Sequence, residues 1–475
     1  MKTSPYLLGA FALGLFSLCA TPIRAQTAAP LPYPAYGTPA PGIAQDLPAG
    51  DVPTAVTLPQ AIAIAVAKSP VLASARQDEE LARIPVDAAK SALFPALTGT
   101  ASSNHTNGPS FSTGGNGGSG GNGGSFSSSG TNNSAGLTLN QLIFDGGKVL
   151  AQIRSARATA VAGADTYQRQ IQTLAFNVAN SYYIALASEH ATSLAEQVVK
   201  QNQTQENLVA AQLRAGVVSQ VDLATAQLPT AQARLALVKA QGAELSAYAS
   251  FDNTLGLDAN TLVRPVDNTP SIATASLLSA QPLTYDGAVT RALYLRPDYL
   301  AAQHAIDAAK ENLRAAKLGR FPVLTGDASL STRSTTQNGT DFRGSNGVGL
   351  SLNFPILDHG LTRFQTAQAA ANLEKAKDQL QIAKLGVQLS VKQALIGLVS
   401  ARSAVGQAQA ELNKAREVLR ATQAQYRAGV TTLPLLLNAQ VGLTTAQTDQ
   451  LNAVYGLRQA EQTYLLALGE SDIGQ

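Results

Sequence analysis

The apolar positions of this 475-residue chain recur at helical spacing over unusually long stretches. From Lys148 to Ala215 the sequence contains no proline and a single glycine, Gly163. Only a helix tolerates such a length without a breaker, and at 1.5 Å per residue it spans about 100 Å. The sequence therefore predicts one very long helix that stops before Gly216, followed by a helical segment that returns to Leu255.

The same pattern occurs twice in the chain, which is the signature of an internal repeat. Each copy predicts a helix, a strand, a loop, a strand, a very long helix, a turn and a shorter helix. Two motifs of the first copy recur in the second at one constant offset: Asp145-Gly146-Gly147 matches Asp358-His359-Gly360, and Arg214-Ala215-Gly216-Val217 matches Arg427-Ala428-Gly429-Val430. We therefore place the first repeat at 58–282 and the second at 283–475.

Apolar and polar residues alternate in four shorter segments, as expected for strands with one apolar face. These segments are residues 97–112, 137–143, 324–333 and 348–356. In the last one Val348, Leu350 and Leu352 alternate with glycine, serine and asparagine. Residues 107–134 are almost entirely glycine, serine and asparagine, and we interpret them as a solvated loop between two strands. A nucleotide-binding loop would need a strand and a helix around its glycines, and that context is absent.

The alternation fits either a globular sheet or a transmembrane barrel. Four strands cannot close a barrel, and open sheet edges cannot face lipid. If these strands span a membrane, several chains must therefore share one barrel. After residue 25 the sequence contains no uninterrupted apolar run long enough to cross a bilayer, which argues against a transmembrane helix.

The predicted helices also carry heptads in which a large apolar residue is followed three positions later by alanine. In the second long helix the large residues are Val391, Leu398, Val405, Leu412, Leu419 and Tyr426, and the alanines are Ala394, Ala401, Ala408 and Ala415. Such heptads let antiparallel helices approach closely and supercoil. We interpret these positions as coiled-coil packing rather than as a site with chemistry.

The N-terminal segment has the features of a secretory signal peptide. Lys2, the apolar run Leu7–Ala20 and Ile23-Arg24-Ala25 predict cleavage after residue 25, with a membrane anchor as the alternative. Cys19, the single cysteine, follows Leu18, and the lack of a small residue before it argues against lipidation. Residues 26–57 are rich in proline and alanine, which favours an extended arm.

Composition gives little support for catalysis or nucleic-acid binding. The net charge is only +3 and charged residues make up 14% of the chain, which is not the signature of a nucleic-acid partner. The four histidines are scattered without metal-ligand spacing, so we predict no catalytic residue, cofactor or metal. We interpret Asp145 with Gly147, and Asp358 with Gly360, as caps where a strand enters a long helix. A carboxylate there accepts free helix amides, and a catalytic role is the alternative.

Four short motifs carry a resemblance to a known family. They are Phe94-Pro95, Phe144-Asp145-Gly146-Gly147, Arg214-Ala215-Gly216 and Tyr426-Arg427-Ala428-Gly429. Each motif is weak alone, but their duplicated order at near-constant spacing is specific. Between Leu58 and Leu468 the chain resembles the TolC-type outer-membrane efflux proteins.

The resemblance implies a mainly α fold with a transmembrane β-barrel portion. Three copies would share a twelve-stranded barrel in outer-membrane lipid, and an α-helical coiled-coil tunnel would extend from it into the periplasm of a Gram-negative cell. Residues 252–284 and the chain ends would form an equatorial region around the tunnel. The implied partners are two further copies of the chain, a periplasmic adaptor and an inner-membrane pump.

The resemblance also implies that the adaptor docks at the turns between the long helices and the returning helices. The corresponding residues are Arg214, Gly216, Val217, Ser219, Arg427, Gly429, Val430 and Thr432. Glycine lets the chain reverse direction, and small or hydroxylated neighbours leave the backbone accessible to a partner. A plain helical turn that needs glycine is the alternative interpretation.

A pore constriction is implied just above these turns. Some relatives carry acidic residues at the positions matching Leu435 and Asn438, which are apolar or neutral in this chain. In the first copy Asp222 is the repeat counterpart of Leu435 and is expected near the constriction. A favourable charge at a helix N-terminus is the alternative interpretation of Asp222.

These observations together favour a passive trimeric duct that completes a tripartite small-molecule efflux system. An exit duct for type I protein secretion is the alternative within the family. A surface coiled-coil protein or adhesin is the alternative from another class, and it has no need of a lipid-facing strand stripe. A periplasmic enzyme lacks any supporting set of residues.

Overall fold

The computed structural model of the chain describes residues 55–109, 127–258, 261–266, 284–336 and 342–470. The predicted signal peptide, Cys19 and nearly all of the predicted arm lie outside these ranges. Residues 110–126, at the centre of the predicted glycine-rich loop, also lie outside them. So do residues 259–260 and 267–283, which belong to the predicted equatorial segment 252–284.

The described elements repeat one order, as the sequence predicts, with a helix pair, two strands and a long helical hairpin in each copy. In chain order they are β1 Ala55–Val56, α1 Leu58–Lys68, α2 Pro70–Ser91, β2 Ala96–Pro109, β3 Ser127–Phe144, α3 Lys148–Arg214, α4 Gln220–Thr254, β4 Arg264–Pro265, α5 Tyr285–Leu295, α6 Pro297–Leu318, β5 Val323–Thr336, β6 Phe342–Asn353, α7 Leu361–Arg427 and α8 Leu433–Leu468.

The two long helices, α3 and α7, each contain 67 residues, which confirms the prediction from the missing breakers. Each packs along the helix that follows it, α3 along α4 and α7 along α8, and α3 also contacts α2, α6 and α8. At 1.5 Å per residue each long helix extends over about 100 Å. The architecture is therefore a set of packed helical rods attached to a small sheet.

The helix that the sequence predicts before Phe94-Pro95 is interrupted at Ser69, so that two helices, α1 and α2, form in its place. This residue has an extended backbone (φ −66°, ψ 120°) and precedes Pro70, the first residue of α2. The second copy breaks in the same way at Arg296 before Pro297. A residue before proline is driven away from the helical region, whereas proline is well suited to the first turn of a new helix.

The four longer strands form one antiparallel sheet in the order β2-β3-β5-β6. Leu139 lies opposite Leu97 on one side and Ala328 on the other, and Ala328 lies opposite Val348. This apolar row alternates with a polar row that contains Thr98, Thr138 and Ser329. The outer strands, β2 and β6, each have one edge that pairs with no other described strand.

The predicted loop at 107–134 is too long at both ends. The structure continues β2 to Pro109 and begins β3 at Ser127, so residues such as Thr131 pair with His105 and with Thr336. Backbone hydrogen bonds build this ladder without an apolar pattern, which is why the sequence does not reveal it. Conversely, β6 ends at Asn353 rather than at residue 356, because proline at 355 cannot donate to a ladder.

Each copy has its own helical core where the hairpin meets the short helices. In the first copy Val178, Leu186 and Phe251 are almost fully buried and pack with α1 and the residues after α4. In the second copy Val391 and Leu398 pack against α5 and the end of α8.

The predicted heptad of α7 matches the observed burial along most of its length. Beyond the core of the second copy, Leu412 and Leu419 are buried, and Val405 between the two groups is half-buried. Helix α8 packs alongside α7. The burial pattern therefore confirms the coiled-coil interpretation.

Contrary to the expectation from the sequence, one helix has the length and composition to cross a membrane. Within the residues that the structure describes, α7 contains an 18-residue window that is apolar and charge-poor enough to cross a membrane. Glycine, serine and glutamine interrupt its apolar residues, so a search for an uninterrupted run does not find it. Part of this apolar character serves packing, because Val387, Val391 and Leu398 are buried against neighbouring helices.

We predict that Gly256→Ala destabilises the protein more than Gly216→Ala. Both glycines have positive φ, +75° and +72°, so the backbone strain of an alanine is similar at the two positions, about 1 kcal/mol. At Gly256 an added Cβ would also lie 2.8 Å from the carbonyl oxygen of Lys68, whereas at Gly216 it would meet nothing within 4 Å. Thermal denaturation of the purified protein should show the difference, and equal midpoints would contradict this account of the contact at Lys68.

Candidate functional site

The two turns that end the long helices have the same backbone geometry. Gly216 and Gly429 have φ of +72° and +71°. In each turn the backbone N–H of the residue after the glycine donates to a carbonyl in the last turn of the long helix. Val217 N donates to Gln212 O and Val430 N donates to Gln425 O, both at 2.9 Å. This closure is the Schellman motif, which satisfies helix-end carbonyls and needs a left-handed residue.

The turns are exposed, and we refer to residues 214–219 and 427–432 as the two tips. Val217 is 72% exposed and Val430 is 77% exposed, although both are apolar. Arg214 and Arg427 are also exposed, and Arg214 Nε donates to Ala210 O of its own helix at 3.4 Å. Exposed valines flanked by arginines form a surface that a partner could cover.

A capping box begins the returning helix of the first tip. Ser219 Oγ accepts a hydrogen bond from Asp222 N at 3.2 Å, and Asp222 Oδ2 accepts from Ser219 N at 2.8 Å and from Ser219 Oγ at 2.7 Å. These bonds favour the ionised carboxylate and lower the pKa of Asp222, the side-chain bond from Ser219 being the main cause. At the second tip Thr432 holds the same place before α8 but makes no side-chain cap bond.

A small apolar cluster joins the two tips within one chain. Val209 of α3, Ala226 of α4 and Leu433 of α8 are buried together, and Tyr426 of α7 packs against them. The structure therefore brings the two predicted docking turns side by side. This arrangement links residues from opposite halves of the sequence, and sequence reasoning did not predict it.

Tyr426 also forms a polar link between the two hairpins. Its hydroxyl lies 3.2 Å from Gln212 Oε1 of α3. The pKa of Tyr426 is raised, first by burial and then by the negative charge of Asp222. The sequence identified Tyr426 as a heptad residue and as part of a family motif, but it did not identify Gln212, because nothing in the local pattern of α3 distinguishes this glutamine.

Two of the three predicted constriction residues share one surface within a chain. Leu435 and Asn438 both line a groove of about 640 Å³ between α7 and α8, with Val418 and Thr422 on its opposite wall. Asp222 does not line this groove, since it is held in the capping box of the first tip. Within one chain the structure thus gives Asp222 a cap partner and gives Leu435 and Asn438 a shared, mostly apolar surface.

The opposite ends of the long helices contain the two aspartates interpreted as caps. Asp145 accepts hydrogen bonds from Gly147 N at 2.8 Å and Val149 N at 2.6 Å. Asp358 accepts from Gly360 N at 3.0 Å and Thr362 N at 2.9 Å. Gly147 and Gly360 themselves have φ of +88° and +84°. Each carboxylate thus satisfies free amides in the first turn of a long helix.

The described residues contain no group of three or more histidine, cysteine, aspartate or glutamate side chains arranged to hold a metal ion. The geometry described above, two exposed tips on long paired rods with a strand sheet at the other end, matches known proteins. The family model for outer membrane efflux proteins matches residues 61–257 and 288–470. The chain belongs to the outer membrane efflux protein family.

Individual relatives agree with this assignment. The chain is 25% identical over 401 residues to the outer membrane protein TolC of Escherichia coli, covering 82% of this chain and 77% of TolC. It is 25% identical over 430 residues to the outer membrane efflux protein BepC of Brucella suis, covering 90% of this chain and 88% of BepC. A crystal structure of a membrane protein from Pseudomonas aeruginosa superimposes with a TM-score of 0.73 at 21% identity, covering 88% of this chain and 91% of that one.

Membership of the efflux family confirms the predicted fold class and the outer-membrane location. The relatives are channel proteins rather than enzymes. The two matched segments of the family model fall one in each copy of the repeat. Together these findings give the long helical hairpins of this chain the place of a periplasmic tunnel below a membrane-embedded sheet.

We predict that Asp222→Asn loosens the first tip at neutral pH but not in acid. The folded pKa of Asp222 is depressed, so its stabilisation is present above the unfolded pKa and is lost as pH falls through the folded value. Amide hydrogen exchange of residues 219–224 should therefore be faster in the variant at pH 7 and should approach the wild-type rate once the pH falls below the folded pKa of Asp222. Ser219→Ala also removes the bond from Asp222 N to Ser219 Oγ, which does not depend on the carboxylate charge, so it should speed exchange at both pH values. A pH-independent difference for Asp222→Asn would contradict the role of the ionised carboxylate.

Proposed function

We propose that this chain is the outer-membrane exit duct of a tripartite efflux system. Three copies form one channel, the tips bind a periplasmic adaptor, and an inner-membrane pump supplies the energy. The observation that carries the proposal is a four-stranded sheet in which each outer strand has one edge that no other described strand covers. This sheet is attached to helices about 100 Å long.

The free edges require further copies of the chain. In the hydrocarbon region no water is present to satisfy backbone N–H and C=O groups, and each unsatisfied group is costly. Pairing β6 of one copy with β2 of the next removes every edge once the ring closes. Three copies give the twelve strands that the family resemblance implies.

One face of the sheet fits lipid and the other fits water. On β6 the side chains of Val348 and Leu350 are 90% and 74% exposed. Val348 lies in the apolar row with Ala328 and Leu139, and Leu350, two residues further along the strand, lies on the same face. The alternate rows hold threonine and serine. A barrel with the apolar rows outside would place the polar rows along a water-filled lumen.

The helical hairpins also present apolar stripes that one copy leaves uncovered. On α4 the exposed residues are Val221, Leu228 and Leu235, and on α7 Ile382, Leu389 and Ile396 follow the same heptad spacing. Burial of such side chains contributes about 25 cal/mol for each Å² removed from water. We expect these stripes to pack against neighbouring copies and to close the tunnel wall.

The tips are the part of the chain best placed for an adaptor. They lie at the end of the rods remote from the sheet, their valines are exposed, and a side chain added at Gly216 or Gly429 would meet nothing within 4 Å of the same chain. That open space is available to a partner. The relative BepC is named an outer membrane efflux protein, which supports efflux over a protein-secretion duct as the function of this chain.

We predict that Gly429→Glu and Gly216→Glu abolish export but leave normal amounts of trimer in the outer membrane. The substitution adds bulk and charge at a docking surface far from the barrel. Complementation of a strain that lacks the channel, scored by drug resistance and by blotting of membranes, measures both effects. Gly429→Asn is the matched control, because asparagine tolerates positive φ and adds no charge. Export through the glutamate variants at wild-type protein levels would show that the adaptor docks elsewhere.

We also predict a cation-preferring channel whose selectivity depends on Asp222. Three copies of this carboxylate near an apolar neck would attract cations strongly. Planar-bilayer recordings of Asp222→Ala should show reduced cation preference, and Leu435→Asp should strengthen block by multivalent cations. Unchanged selectivity in Asp222→Ala would leave this residue with its capping role alone. Unchanged block in Leu435→Asp would show that the groove lined by this side chain belongs to the packing between helices and does not face the pore.

A further inference from the structure

A separate cavity of about 340 Å³ lies where α3, α7 and α8 meet the start of α6. It is far from both tips, and none of the predicted site residues lines it. Two guanidinium groups, those of Arg169 and Arg296, contribute to its wall, and Gly397 and Ala460 supply apolar surface. Pockets of several hundred Å³ with a few fixed polar groups are typical of small-molecule sites.

The charge of Arg296 is neutralised within the protein. Its Nε donates to Asp298 Oδ1 at 3.0 Å and its Nη2 donates to Asp298 Oδ2 at 2.6 Å, a bidentate pair. Its Nη1 donates to Ser390 Oγ at 2.6 Å. Arg296 is therefore a rigid and electrically satisfied part of the wall.

The charge of Arg169 is not neutralised in the same way. Its Nη1 donates to Leu466 O and to Gln172 Oε1, both at 3.1 Å, and both acceptors are neutral. Among the described residues no carboxylate forms an ion pair with it. Burial lowers the pKa of Arg169, Asp298 partly opposes this effect at longer range, and the like charge of Arg296 adds to it. The two guanidinium groups thus share the negative charge of one carboxylate, that of Asp298.

Capping of α8 explains only part of this arrangement. Arg169 and Arg296 each direct one Nη1 to a carbonyl of the last turn of α8, at Leu466 and Ala467, where the helix dipole favours cations. That role needs neither a second guanidinium nor an open cavity beside them. Within the described part of the chain, the hydrogen bonds that hold Arg169 use Nη1 alone, which leaves its other N–H groups for a ligand.

We propose that this cavity binds a small amphipathic organic anion, with its carboxylate on Arg169 and its apolar body against Gly397 and Ala460. A guanidinium donates two parallel hydrogen bonds to a carboxylate, and the Nε and Nη2 groups of Arg169 are placed to do so because its hydrogen bonds within the described part of the chain use Nη1. The inference is independent of the exported cargo, because the site belongs to the folded chain itself.

Benzoate is a suitable probe, and benzyl alcohol of similar size is its neutral control. Calorimetric titration of the purified full-length protein in detergent, at constant ionic strength with chloride, should show saturable benzoate binding with one site per chain. Benzyl alcohol should bind at least tenfold more weakly. No saturable benzoate binding, or equal binding of the two probes, would overturn the proposal.

Two variants locate the site. Arg169→Gln should weaken benzoate binding at least tenfold, whereas Arg154→Gln, an exposed arginine on the same helix, should bind as wild type. Gly397→Leu fills the cavity without removing a charge and suits a helix better than glycine, so it remains informative if Arg169→Gln folds poorly. Gly406→Leu is its control, since a Cβ at either glycine meets nothing within 4 Å. Wild-type binding by Gly397→Leu would place the anion elsewhere and refute the proposal.

Discussion

Unsatisfied backbone hydrogen bonds at the edges of the sheet are the constraint on which the rest of the structure depends. A four-stranded sheet in lipid leaves the outer sides of β2 and β6 without partners, and hydrocarbon cannot supply them. Only closure with other copies removes this cost. Because of the internal repeat, one chain provides two strand pairs and two helical hairpins. Half as many chains are therefore needed to close the sheet as for a chain with one copy of the repeat.

The helices follow from the same closure. A ring of copies encloses a lumen, and long rods attached below each strand pair continue that lumen as a tunnel. Alanine at the heptad positions lets α7 and α8 approach closely, while the exposed stripes on α4 and α7 remain for neighbouring copies. Asp145 and Asp358 fix the start of each rod by accepting its free amides, so strand direction sets rod direction. The tips are remote from the sheet, and we propose that a soluble partner binds there.

Local signals made much of this fold predictable. The scarcity of proline and glycine predicted the long helices, and the heptads predicted which face of α7 is buried. The ends of β2 and β3 were not predictable, because serine and asparagine pair there through backbone groups alone. The break at Ser69 was missed although Pro70 marks it. Two pairs of residues depend on tertiary contact between distant segments, and a single sequence contains no signal for such contacts. They are Tyr426 with Gln212, and Arg169 beside Arg296.

The number of chains in the folded particle tests the central claim most directly. Native mass spectrometry of the purified protein in detergent, with circular dichroism on the same sample, reports both the copy number and the strand content. The account predicts three chains per particle, and it predicts that Leu350→Pro in the edge strand β6 yields monomers with reduced strand signal. A monomeric wild-type particle that retains its full strand content would contradict the shared barrel.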